Sequence, residues 1–191
     1  GRAERFGLPV ADRPDSQDIC CVPDGDYASV VGRLRPEAVE PGDIVDTAGR
    51  VVGRHQGIVH FTVGQRRGLR LDARQGTDNA PFYVVRLDAA RRQVVVGPHA
   101  ALAREAVRIG AVNWLGDRPL DRDGLPVLVR LRSSQPLRPA TVARVGAEVL
   151  VRFETPEFGV APGQACVIYD RATGERVLGG GTILSVAAGE A

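Results

Sequence analysis

Apolar and polar residues alternate along most of this chain in short runs, each closed by glycine, proline or aspartate, which is the period of half-buried strands rather than of helices. The exception lies near the start, where Tyr27, Val30, Val31 and Leu34 recur at helical spacing. Pro23-Asp24-Gly25-Asp26 precedes them as a turn whose aspartates can cap a helix, and Pro23 biases the Ile19 to Val22 stretch towards an extended form. The pattern predicts a helix that ends before Pro36. Asp43 to Asp46 and Val51 to Gly53 then flank Thr47-Ala48-Gly49-Arg50 as a hairpin, and Phe82 to Leu87 and Gln93 to Val96 flank Asp88 to Arg92 as a second hairpin with a longer loop. After His99 come six strand candidates: Val107 to Trp114, Val127 to Arg132, Ala140 to Val145, Glu148 to Phe153, Ala165 to Tyr169 and Gly181 to Val186. Short strands at regular spacing, with Gly and Pro turns, imply a small barrel or sandwich, and the texture divides the chain near residue 100.

Composition supports compact cores of Val, Leu, Ala and Ile, because 43% of the 191 residues are apolar and only 5% aromatic. No apolar run approaches the ~18 residues of a membrane span, and the opening GRAERFGLPVADRPDS lacks the apolar core of a signal peptide, so the protein is expected to be cytoplasmic. Three cysteines, two of them adjacent, offer neither a disulfide framework nor metal-ligand spacing. The net charge is only +2, yet all 25 basic residues are arginine. A GC-rich genome accounts for that bias, so position rather than count must decide which arginines matter. The chain has no initiator methionine and opens as if in mid-sequence, which reads as a fragment.

Several segments carry candidate chemistry. Ser16 to Tyr27 sets a thiol in a short polar stretch bounded by turn formers, where a substrate reaches it more readily than in a core strand. In an extended segment Cys20 and Cys21 point to opposite faces, so only one of them is expected to react. Cys166 instead alternates with Ile168 on what reads as a core face. Gly64-Gln65-Arg66-Arg67-Gly68-Leu69-Arg70 holds three arginines between glycines that let backbone approach a phosphate, with Arg74 just beyond. It reads either as a grip on RNA backbone or as a solvated loop paired with Asp72 and Asp78. His55 and His60, near glycines, read as structural hydrogen-bonders. In Val127 to Arg132 alternation puts Arg130 and Arg132 on one face and Val127, Val129 and Leu131 on the other. Gly179-Gly180-Gly181 lacks a phosphate-loop framework and reads as a barrel bend or bulge.

The blocks SQDIC, GRHQGIVHFTVGQRRGL, FYVVRLD, VRLR, PGQACVIYD and VLGGG, taken in order, resemble the bacterial tRNA-specific 2-thiouridylases. That resemblance implies a mainly β fold: a small mixed α/β central domain followed by a six-stranded β-barrel. It divides the chain into a connector over residues 1–16 from a missing N-terminal domain, a central domain over 17–100, and a tRNA-binding barrel over 101–188. It makes Cys20 the sulfur-carrying catalytic residue, while Cys21 replaces the family's aromatic as a small apolar filler. It implies tRNA contacts at Arg132, Ser133 and Gln164, and a functional region near tRNA at Arg66 and Arg67. Ser133 stands where the family often has tyrosine, so the contact there is expected to be weaker or purely polar. The reaction it implies is transfer of persulfide sulfur from Cys20 to C2 of the ATP-activated wobble uridine, position 34, of tRNA. The sulfur would come from a relay protein or a cysteine desulfurase. No cofactor is expected in this chain. ATP with magnesium is expected in the N-terminal domain, whose SGGVDS-type loop and second cysteine have no counterpart here, so the piece is not expected to thiolate tRNA alone. Neither DNA nor membrane is an expected partner. Two rival readings stay open, a stand-alone RNA-binding module without catalysis and a protein-interaction barrel.

Overall fold

A computed structural model describes residues 27–69, 71 and 81–187. Cys20, Cys21, the turn at Pro23, and Arg70, Asp72, Arg74 and Asp78 lie outside the described residues. The helix forms as its periodicity predicts, α1 over Tyr27–Leu34, and the 3-10 turn Pro36–Val39 follows at once. Val31 packs on the core, but Leu34 is 76% exposed. In the 3-10 turn that begins at Pro36, Ala38, not Leu34, is the buried side chain.

Both hairpins form: β1 (Gly42–Asp46) with β2 (Val51–His55), and β3 (Tyr83–Asp88) with β4 (Gln93–Gly97). Asp46 closes the first turn by accepting from the backbone N–H groups of Ala48 and Arg50, each at 2.9 Å. The hairpins join into one sheet of order β2-β1-β4-β3, because β1 lies parallel to β4 with Ile44 opposite Val94. This makes β1 and β4 the two inner strands, and both are buried on both faces: Ile44, Val45, Val94, Val95 and Val96 are all at or below 8% exposed.

His55 ends β2 in a buried position, 4% exposed. Its Nδ1 accepts from the Gly57 N–H at 3.0 Å, so the proton sits on Nε2, which donates to the Arg92 carbonyl at 3.0 Å. This is the structural role its sequence context suggests. Burial lowers its pKa below the ordinary 6.5. The unfolded chain therefore takes up the proton first, and this contribution to stability is present above pH ~6.5 and lost as pH falls below it. Urea melts at pH 7.5 and 5.5 are expected to show a loss of stability at the lower pH that is smaller in His55→Gln.

The 3-10 turn His99–Leu102 leads into the second unit, a closed barrel of order β10-β5-β8-β7-β6-β9. Its strands are β5 (Ala103–Trp114), β6 (Leu125–Arg130), β7 (Arg138–Val145), β8 (Glu148–Phe158), β9 (Ala165–Asp170) and β10 (Val177–Ala187). Every pairing is antiparallel. The alternation read from sequence carries through: Val127, Val129, Val149, Val151, Cys166 and Ile168 fill the core. Burial pushes the Cys166 thiol up to about 12, which leaves it protonated and inert at neutral pH. Strand β8 runs five residues past its expected end, through Pro156, because the register with β5 shifts between Arg104 and Ala106 and the proline falls in that irregularity. The extension brings Phe158 opposite Ala103. Among the described residues no helix is long and apolar enough to cross a membrane.

Candidate nucleic-acid interface

The segment rich in glycine and arginine is a built loop. Thr62 to Gln65 makes a tight turn, closed by Gln65 N–H to the Thr62 carbonyl at 2.9 Å, with Gly64 at φ +90° in the position that turn requires. Two backbone bonds fasten it to β3: Gly64 N–H to the Val84 carbonyl at 2.8 Å and Val84 N–H to the Gln65 carbonyl at 2.9 Å. The Gln65 side chain spans the loop, accepting from Thr62 N–H at 3.0 Å and donating to the Arg67 carbonyl at 2.9 Å. Arg66 and Arg67 are thereby held on the exposed side of the loop, and neither forms an ion pair with another described residue.

Arg132 stands just past the end of β6, in a turn closed by Gln135 N–H to its carbonyl at 3.1 Å. Gln135 Nε2 donates to Glu157 at 2.6 Å, and the buried Glu157 carboxylate also pairs with Arg138 at 2.9 Å, so the turn is pinned to β8. The Arg132 guanidinium donates through Nη2 to the Gly159 carbonyl and, at 3.3 Å, to that of Phe158. One nitrogen fixes its direction, and its remaining donors have no partner among the described residues. Ser133, beside it, is exposed.

Gln164 follows Pro162-Gly163, a turn with Gly163 at φ +87°. The bonds of Gly163 N–H to Ile183 O and of Ile183 N–H to Gln164 O, both 2.8 Å, tie this turn to β10. The Gln164 Oε1 accepts from Ala161 N–H at 3.2 Å, which leaves its amide NH₂ without a partner among the described residues.

Closure of the barrel against the central sheet brings these parts together. A cavity of about 460 Å³ is lined by Thr62, Val63 and Gly64 from the loop, Tyr83 and His99 from the central unit, and Arg132, Phe158, Gly159 and Gln164 from the barrel. The contact is close: a methyl group placed on Gly64 would lie 3.8 Å from Cα of Gly159. Arg132 and Gln164, expected from sequence, thus share one wall with the start of the arginine loop. Arg66, Arg67 and Ser133 are exposed but do not line the cavity, and Cys20 lies outside the described residues. Sequence reasoning missed Gln65, Gln135, Glu157, Phe158 and His99. Only Phe158 left a signal, as one of five phenylalanines in an aromatic-poor chain, placed between Glu157 and Gly159 beyond a proline. Among the described residues no group of three or more His, Cys, Asp or Glu side chains is placed to hold a metal ion.

Two family models match the two units. The tRNA methyl transferase PRC-barrel domain matches residues 30–98, and the aminomethyltransferase β-barrel domain matches residues 104–183. In class, then, the chain is a PRC-barrel unit followed by an aminomethyltransferase-type β-barrel. More closely, it belongs to the tRNA-specific 2-thiouridylase family, matching its central and C-terminal domains. It is 56% identical over 190 residues to the tRNA-specific 2-thiouridylase MnmA of Methylobacterium nodulans, covering 97% of this chain and 48% of that protein. To the proteins of the same name from Rhodopseudomonas palustris strain HaA2 and Xanthobacter autotrophicus it is 57% identical over 189 residues and 56% over 188, covering 46% and 47% of their lengths. The chain spans about half the length of the curated relatives it matches.

Proposed function

We propose that this chain is the C-terminal part of a tRNA 2-thiouridylase. In this reading the barrel and the arginine loop hold tRNA through Arg66, Arg67, Arg132, Ser133 and Gln164, and Cys20 carries the sulfur. The observation that carries the reading is identity of 53–57% to thiouridylases across 95–97% of the chain. The domain descriptions speak of methyl transfer, but they name scaffolds, and a scaffold hosts many chemistries. The convergence of Arg132, Gln164 and the loop on one cleft supports it further, since phosphate contacts fix register and need clustered cationic and amide donors.

A cysteine thiolate accepts a sulfane sulfur to become a persulfide, and the outer sulfur attacks C2 of a uridine activated by adenylation, with AMP as the leaving group. A second thiol then attacks the cysteine sulfur of the Cys–S–S–C2 link, releasing the thiolated base and leaving a disulfide that an external thiol reductant reopens. ATP and its magnesium belong, in this proposal, to the part of the relatives' length that this chain does not span, and a cysteine desulfurase or relay protein supplies the sulfur. The protein works in the cytoplasm.

The test is tRNA binding by the 191-residue chain at low salt, where phosphate contacts are strongest. Arg132→Glu is expected to weaken binding by about tenfold or more, and Arg132→Gln to lower the dependence of log K on log salt by about one. Negligible affinity of the wild-type chain at low salt would defeat the reading in favour of a protein-interaction barrel.

A further inference from the structure

Phe158 is 41% exposed although the chain has few aromatics to spare. Its ring stacks on His99 with centroids 4.6 Å apart and planes 18° from parallel, and His99 meets the edge of Tyr83 at 5.3 Å and 75°. The column joins the two units of the chain and borders the cavity. It is not a by-product of loose ends. His99 opens a 3-10 turn that Arg104 braces, donating to the carbonyls of Ala101 at 2.9 Å and Ala103 at 2.7 Å. Phe158 closes β8, and its carbonyl and that of Gly159, the residue after the strand, hold Arg132. A planar, part-open ring therefore sits beside a guanidinium fixed in direction and a glutamine amide whose NH₂ has no partner among the described residues.

We propose that Phe158, backed by His99, is a stacking platform for one unpaired base of the bound RNA, with Arg132 on the adjoining phosphate. This rests on the tRNA-binding reading above and adds to it a base site that no arginine supplies. Every base has a π-face, and unpaired bases splayed from RNA are held by stacking on aromatic rings. Ser133 offers no ring and does not line the cavity, and the aromatic surface beside Arg132 comes from β8. A duplex region cannot present a base face in this way, which makes the occupant an unpaired nucleotide of a loop, bulge or end.

The experiment measures binding of an unmodified tRNA transcript to the wild-type chain, Phe158→Ala and Phe158→Trp. Phe158→Ala is expected to weaken binding by roughly fivefold to a hundredfold. It is expected to leave the salt slope unchanged, because stacking releases no counterions. Phe158→Trp is expected to retain affinity, and its emission, read against the Trp114 background of the wild type, to be quenched by the transcript. Wild-type affinity retained in Phe158→Ala would overturn the proposal while leaving the tRNA reading intact. Loss of affinity in Phe158→Ala with no response of Phe158→Trp emission would also overturn it, and would make the ring a brace between the two units. A wild-type chain that fails to bind at low salt overturns both readings.

Discussion

Cys20→Ser is expected to abolish sulfur loading, while Cys21→Ser leaves it in place. Incubating the chain with a cysteine desulfurase and cysteine should add a sulfur-sized mass to the wild type, read by mass spectrometry of the intact protein. The expectation rests on the burial of Cys166 and on the sequence setting of the other two cysteines. Cys166 is fully buried and burial holds its thiol near pKa 12, so it supplies almost no thiolate at neutral pH and does not compete. Cys20 and Cys21 are neighbours in a sequence segment bounded by turn formers, whose pattern predicts an extended chain with the two on opposite faces. An accessible thiol with an ordinary pKa of ~8.5 is already ionised to a useful extent at pH 7.5 to 8. An adduct that survives in Cys20→Ser would show the assignment to be wrong. An adduct that forms on none of the chains would favour an RNA-binding module without chemistry.

What was legible in the sequence follows the range of the interactions. The barrel strands were readable because each alternates over its own few residues, and Val127, Val129 and Leu131 needed no knowledge of their partners to be placed inside. The parallel pairing of β1 with β4 was not read, since two hairpins satisfy the local signals equally well. The uninterrupted Val94-Val95-Val96 was the clue, because a strand buried on both faces must lie inside a sheet. Strand β8 was read too short for a local reason as well: Pro156 marks an end unless a bulge absorbs it. The site shows the same limit. Arg132 and Gln164 came from motifs, but their shared wall exists only because the barrel closes, and Phe158 and His99 meet only across the two units. Cys20, which carries the chemistry in the proposal, rests on its motif alone.

Closure of the barrel also sets the largest expected loss of stability. Strand β10 runs between β5 and β9, and the triple glycine Gly179-Gly180-Gly181 lies where it meets both. Ideal Cβ atoms built on these glycines would fall 2.5 Å from the Asn113 carbonyl oxygen, 2.8 Å from that of Cys166 and 2.6 Å from that of Gly110. The obstacles are backbone atoms of neighbouring strands, which cannot turn aside as a flexible side chain can. Gly181→Ala is the case to test, because the register with β5 shifts between Gly180 and Thr182, where β5 sets Ala111 and Val112 against Gly181 alone as a bulge, with Ala111 at φ +49°. Accommodating the methyl must move β5 or β10, and overpacking of this kind costs about 1–3 kcal/mol. For a chain of this size that corresponds to a fall of roughly 2–12 °C in Tm by thermal melting. Ser185→Ala, exposed on the same strand, is expected to stay within about 0.5 kcal/mol of the wild type. The damage should extend to function, since Ile183 two residues on makes both backbone bonds that hold the Gly163-Gln164 turn. A shifted β10 carries Gln164 away from Arg132, so Gly181→Ala is expected to weaken tRNA binding below its melting temperature while leaving Arg66 and Arg67 in place. An unchanged Tm would show that the bulge has room for a side chain and that the glycines are not what closes the barrel.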